Sequence, residues 1–74
     1  MIVDVRERLE THPFVPFTIH TADGREYRVP TPDHAHVYPN RSRVSIYGED
    51  GREFIVPSLL ISGVAVDSEQ STNQ

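Results

Sequence analysis

The stretch that decides the fold occurs twice, as DGREYRVP at 23–30 and as DGREFIVP at 50–57. On both sides of each Asp-Gly pair, β-branched and aromatic residues alternate with polar ones, which is the pattern of a β-hairpin. The likeness covers two whole strands when FTIHTADGREYRVP (17–30) is aligned without gaps to VSIYGEDGREFIVP (44–57). The repeat therefore predicts two hairpins of one design.

The length of the loop decides which side chains share a face in each hairpin. A two-residue Asp-Gly loop would put the apolar residues of the two strands on opposite faces. A three-residue loop that ends at Gly24 places Phe17 opposite Val29 and gathers the apolar residues on one face, as a half-buried strand pair requires. Such a loop needs a left-handed third residue, a place that suits Gly24 and Gly51. We therefore predict three-residue loops in both copies.

The outer faces of the two predicted hairpins differ in polarity. The first carries His20 opposite Glu26, whereas the second carries Ser45, Tyr47 and Ile55. An exposed tyrosine and isoleucine are typical of half an interface, and they fit equally well beneath the N-terminal helix. We take Tyr47 and Ile55 as candidate interaction residues.

The NRSR stretch between the hairpins adds two further candidates, Arg41 and Arg43. In a turn, their guanidinium groups would touch an acidic partner or a phosphate, or would simply lie in a solvated loop. The formal charge of −4 opposes a nucleic-acid role for them.

The first residues, MIVDVRERLE, predict a short helix. Asp4 fits the N-cap, and Glu7 three residues later completes a capping box. Pro13 ends the helix, and Val5 and Leu9 lie one turn apart on one face. Because so short a helix is unstable alone, it must dock on the sheet.

Length and composition describe one small domain. The chain has 74 residues and no cysteine, so disulfides and thiolate metal sites are excluded. We assign residues 1–67 to a single β-barrel domain and predict a disordered polar tail at 68–74. The acidic balance argues against nucleic acid as a partner, and no apolar run has membrane-spanning length. We expect a soluble cytoplasmic protein without membrane contact and without a cofactor.

The DHAH segment at 33–36 has the character of a metal site. In a strand, His34 and His36 point to the same face and could share a metal ion, completed by Asp33 or His20. The preceding Thr-Pro also fits the start of a helix, and on a helical turn residues two apart point away from each other. The sequence leaves both conformations open. Because a metal site needs at least three protein ligands, ordinary surface histidines are the simpler interpretation.

One helix followed by about five short strands resembles a small SH3-like or Sm-like barrel. The chain also resembles a set of short uncharacterised bacterial proteins with a PFxPFxI…DGR…V…P[ED] pattern, matched here by Pro13, Phe14, Pro16, Phe17, Ile19, Asp23, Gly24, Arg25, Val29, Pro32 and Asp33. The resemblance implies a mainly β fold with one N-terminal helix, as a small antiparallel barrel or a strongly bent sheet. Sm proteins bind RNA through loop residues, so it also implies a nucleic-acid binder as an alternative function.

We predict a non-catalytic protein-interaction or assembly module that forms a homo-oligomer or binds another protein. A small domain without a disulfide commonly gains stability from a partner subunit, and its edge strands offer a surface for one. The alternatives are an Sm-like nucleic-acid binder and a metal site at His34 and His36. No enzyme is predicted, because no serine can be tied to a histidine–carboxylate pair and no glycine-rich phosphate loop occurs.

Overall fold

The computed structural model describes residues 2–67, which form one helix, six strands and two 3-10 turns. In chain order these are α1 (Ile2–Leu9), β1 (Phe17–Thr21), β2 (Glu26–Val29), a 3-10 turn (Pro32–His34), β3 (Ala35–Val37), β4 (Arg43–Tyr47), β5 (Glu53–Pro57), a second 3-10 turn (Ser58–Leu60) and β6 (Ile61–Val66). The strands make two antiparallel sheets, ordered β2-β1-β6 and β3-β4-β5.

The prediction of a mainly β fold with an N-terminal helix is confirmed. Six strands rather than about five are present in the described part of the chain, because the first 3-10 turn separates β2 from β3. Within residues 2–67 the two sheets remain separate and no closed barrel forms. In the same range, no helix has the length and apolar character needed to cross a bilayer. The predicted tail at 68–74 lies outside the described residues.

Both copies of the repeat form the predicted hairpin. In the first copy Phe17 pairs with Val29, and the second copy follows the same register. The third residue of each loop is left-handed, with φ of 89° at Gly24 and 89° at Gly51. The Gly24 N–H closes its turn by donating to the Thr21 carbonyl at 3.0 Å. The predicted three-residue loops are therefore confirmed.

The Asp and Arg of the repeat contact each other across the loop. Asp50 Oδ2 lies 2.9 Å from Arg52 Nε, and Asp23 Oδ2 lies 3.5 Å from Arg25 Nε. The Arg52 N–H also donates to Asp50 at 3.1 Å, and these bonds lower the pKa of the Asp50 carboxyl. In the first copy a hydrogen bond from the Thr21 hydroxyl lowers the pKa of Asp23. The shared Asp-Gly-Arg sequence thus stabilises the turn in both hairpins.

A third hairpin, between β3 and β4, also has a left-handed loop residue, but its loop is one residue longer, since the Tyr38 N–H donates to the Arg43 carbonyl at 3.1 Å. The Arg41 N–H donates to the Tyr38 carbonyl at 2.8 Å, and Arg41 has a φ of 61°. The Asn40 side chain accepts the Ser42 N–H at 3.0 Å and supports the loop. Arg41 therefore occupies the left-handed position that a glycine fills in the two repeats.

The core lies between the inner faces of the two sheets and is covered by α1. Its members are apolar residues from the helix and from every strand: Val5, Phe17, Ile19, Val29, Ala35, Val44, Ile46, Val56 and Ile61. Val5 is fully buried, so the predicted docking of the helix is confirmed. Burial of one such side chain contributes roughly 1.5–3 kcal/mol to stability.

The predicted N-cap is wrong, and one residue of the outer face is more buried than its position suggests. The helix begins at Ile2 rather than after Asp4, so Asp4 lies in the first turn, where its charge favours the positive end of the helix, and is not the N-cap. Ser45 alternates to the outer face as predicted but is only 1% exposed. It lies on the central strand of its sheet, and the Tyr38 hydroxyl approaches its Oγ at 3.3 Å. Ser45 is therefore covered although it faces away from the core.

Candidate interaction surface

The outer face of the second sheet carries a cluster of aromatic, apolar and cationic side chains. We call it the platform and define it by His36, Tyr38, Arg43, Ser45, Tyr47 and Ile55. Val44 and Ile46 of the same sheet are buried, so strand alternation turns their neighbours outward. The platform is therefore the side of the sheet away from the core.

Strand register fixes how the platform residues neighbour each other. His36 pairs with Ser45 and Ser45 pairs with Ile55, so these three form a row across the sheet. Tyr47 pairs with Glu53, which makes Tyr47 and Ile55 diagonal neighbours. Tyr47 is 38% exposed and Ile55 is 52% exposed. The two predicted interaction residues are thus adjacent and open to solvent.

The alternative position for Tyr47 and Ile55, beneath the N-terminal helix, is wrong. Helix α1 packs against β3 and β6, with Val5 directed into the core. It therefore covers the inner side of the structure and leaves the platform uncovered.

A cation–π contact orders one end of the platform. The guanidinium carbon of Arg43 lies 5.4 Å from the centroid of the Tyr38 ring. The centroids of His36 and Tyr38 are 5.8 Å apart, and their planes are tilted by 54°. Such packing restricts the conformations of these side chains in the unbound protein. Tyr38 is not among the predicted interaction residues, although its spacing of two from His36 across the apolar Val37 is a usable signal.

Arg41 and Arg43 differ in their placement. Arg43 belongs to the platform itself, whereas Arg41 lies in the loop that joins β3 to β4. Neither makes an ion pair with any of residues 2–67. The structure therefore brings Arg43, Tyr47 and Ile55 onto one face and leaves Arg41 at its end.

The candidate metal ligands are dispersed. His34 lies in the 3-10 turn, where its Nδ1 is 2.8 Å from the Thr31 hydroxyl, while His36 lies on β3. The segment is thus a turn followed by a strand, and the two histidines do not share one strand face. Asp33 is in the same turn, and His20 is on the other sheet, 3.9 Å from Glu26. Across residues 2–67, no three His, Asp or Glu side chains gather around a common point.

Comparison of the chain with protein-family models, with curated proteins and with solved structures gives no match. The resemblance to the short bacterial proteins and to SH3-like and Sm-like barrels therefore stays a prediction. The function has to be inferred from the chemistry of the platform itself.

Proposed function

We propose that this chain is a non-catalytic interaction module that self-associates through the platform. The observation that supports it is the adjacent exposure of Tyr47 and Ile55 beside the ordered Tyr38–Arg43 pair. Aromatic residues and arginine are enriched at protein interfaces, and exposed apolar clusters on small proteins commonly mark them.

The small size of the domain favours a second copy of the chain as the partner that binds the platform. The buried core among residues 2–67 consists of nine side chains, and the sequence contains no cysteine. Small domains with so little core are commonly stabilised by a partner subunit. In a two-fold dimer the same face is used by both copies, so platform would pack on platform.

The cost of losing Ile55 from such a dimer follows from its exposure. Because Ile55 is 52% exposed, a partner would cover the exposed half of the side chain. This contributes about 1 kcal/mol to the free energy of dimerisation, roughly half of the value for full burial. A two-fold dimer makes this contact twice, so the loss is about 2 kcal/mol, or about thirtyfold in the dimer Kd.

Sedimentation velocity from low micromolar to near-millimolar concentration tests the proposal. We expect the unaltered chain to dimerise and the double variant Tyr47→Thr/Ile55→Thr, which keeps strand-forming residues, to remain a monomer with unchanged circular dichroism. Leu59→Thr is the matched control, because Leu59 is 95% exposed and lies outside the platform. A single monomeric species of the unaltered chain at the highest concentration would contradict the proposal. Dissociation caused only by Leu59→Thr would also contradict it.

We further propose that the two sheets are the halves of an SH3-like or Sm-like barrel that is left open. Both sheets contribute to one core, and the chain passes between them twice, through the turns at Pro32–His34 and Ser58–Leu60. An experimental structure in which β2 and β3 bend around a common core would support this architecture, and two sheets with independent cores would exclude it.

Single-strand nucleic-acid binding is the second candidate function. One observation favours it: the platform combines aromatic rings with an arginine that has no ion-pair partner among residues 2–67, the combination on which unpaired bases stack. The formal charge of −4 opposes it. Fluorescence anisotropy with short single-stranded RNA at low salt tests the idea, and a flat titration would end it.

A further inference from the structure

Helix α1 lies between two free sheet edges, and a cleft opens on each side of it. Both β3 and β6 are edge strands, and α1 contacts both. The cleft toward β3 is about 440 Å³, and its arginine, Arg6, is paired with Glu10 at 3.5 Å. The cleft toward β6 is about 380 Å³ and is lined by Asp4, Arg8, Gly63, Val64 and Val66. The arginine of this second cleft makes no ion pair within residues 2–67.

That arginine is Arg8. Its Nε is buried and has no hydrogen-bond partner in the described part of the chain. Asp4 lies one helical turn earlier but forms no ion pair with Arg8. A buried donor of a cationic group is unfavourable unless it is paired. The planar fork of arginine matches a carboxylate, which can accept two parallel hydrogen bonds.

The edge of β6 presents backbone groups to the same cleft. The Asp67 N–H donates to the Pro16 carbonyl at 3.0 Å, which makes Pro16 and Asp67 a hydrogen-bonded pair of the β1–β6 ladder. Hydrogen-bonded and non-bonded pairs alternate along an antiparallel ladder. Val64 and Val66, opposite Ile19 and Phe17, are therefore non-bonded. Their N–H and C=O groups point away from β1, at the free edge of β6, and both residues line the cleft.

We propose that the α1–β6 cleft binds an extended segment of a partner protein that carries an acidic side chain. The segment adds a strand to the free edge of β6 and bonds to the backbone of Val64 and Val66. Its carboxylate pairs with the guanidinium group of Arg8, which has no ion-pair partner within residues 2–67. Asp4 repels a second carboxylate, so the segment carries one acidic residue among neutral ones. This inference is independent of the platform, which lies on the other sheet.

An NMR titration of the full chain with a designed peptide tests the inference. The probe is the acetylated and amidated heptapeptide Thr-Val-Thr-Glu-Thr-Val-Thr, and its control has Gln in place of Glu. We expect the Glu peptide to shift the amide signals of Val64 and Val66. The Gln peptide should bind about tenfold more weakly or worse, since a hydrogen bond to a charged group is worth roughly 1.5–3 kcal/mol.

Variants of α1 separate the Arg8 contact from general edge binding. Arg8→Gln should weaken the Glu peptide about tenfold and leave the Gln peptide unchanged. Arg6→Gln, on the same helix but facing the other cleft, should change neither. If Arg8→Gln does not fold, Arg8→Leu gives the same test, because it also removes the guanidinium group. Equal binding of the two peptides, shifts confined to β3, or no shift with either peptide would overturn the inference.

Discussion

Replacing the third loop residue of each hairpin by alanine isolates the energy of one backbone angle. Gly24 and Gly51 both have a φ of 89°, and a Cβ placed on either would meet no heavy atom within 4 Å. The substitution therefore creates no clash, and its cost is that of a left-handed L-residue, roughly 1–2 kcal/mol. Alanine also reduces the conformational entropy of the unfolded chain, which offsets about 0.4–1 kcal/mol of this cost. We expect a net loss of about 1 kcal/mol for each variant.

Two other positions provide comparisons in which the substitution should raise stability. Arg41 has a φ of 61°, so Arg41→Gly relieves the left-handed strain of the folded state. Glycine also makes the unfolded chain more flexible, which opposes folding, and we expect the free energy of unfolding to rise by about 0.5 kcal/mol. A Cβ placed on Gly63 would also meet no heavy atom within 4 Å, but the φ of Gly63 is not left-handed. Gly63→Ala should therefore raise stability by about 0.5–1 kcal/mol.

Urea and thermal unfolding at one fixed protein concentration measure these differences, because the proposed self-association would make Tm depend on concentration. For a domain of this size, 1 kcal/mol corresponds to about 4–8 °C in Tm. We expect Gly24→Ala and Gly51→Ala to lower Tm and Gly63→Ala to raise it. A shift of Tm in the same direction for Gly24→Ala and Gly63→Ala would show that the left-handed backbone angle does not determine the cost.

Three further predictions concern the helix and Asp67, the residue that follows β6. Val5→Ala should cost about 2 kcal/mol in urea unfolding, because Val5 is fully buried and holds α1 on the core; an unchanged midpoint would show that the helix is not docked. Arg8→Leu should raise stability by about 1 kcal/mol without ligand, since it removes a buried unpaired donor; a lower Tm would mean that Arg8 is already satisfied. Hydrogen bonding to Arg28 lowers the pKa of Asp67, so this stabilisation is complete above the usual carboxyl pKa of about 4 and is lost as the pH falls through the lowered pKa. Asp67→Asn should therefore be less stable than the unaltered chain near neutral pH and equal to it in strong acid, and a difference that persists in acid would exclude the ion pair as its cause.

Part of the candidate site could be predicted from the sequence, and part could not. Tyr47 and Ile55 could be found from sequence because the register of a hairpin is decided by local alternation around its loop. The contact between Tyr38 and Arg43 could not be predicted from sequence, because it forms only when β3 pairs with β4. The histidine segment remained open because the change from turn to strand between His34 and Ala35 depends on that same pairing.

Sequence alone determined the two repeated hairpins, their three-residue loops, the left-handed Gly24 and Gly51, and the outward position of the Tyr47–Ile55 pair. All of these depend on neighbours within one hairpin, where side-chain period and loop conformation leave one consistent register. Only the tertiary structure decided that the strands divide into two sheets and that α1 lies between β3 and β6. The buried Nε of Arg8 belongs to this second group, because its burial results from packing between elements that are distant in sequence.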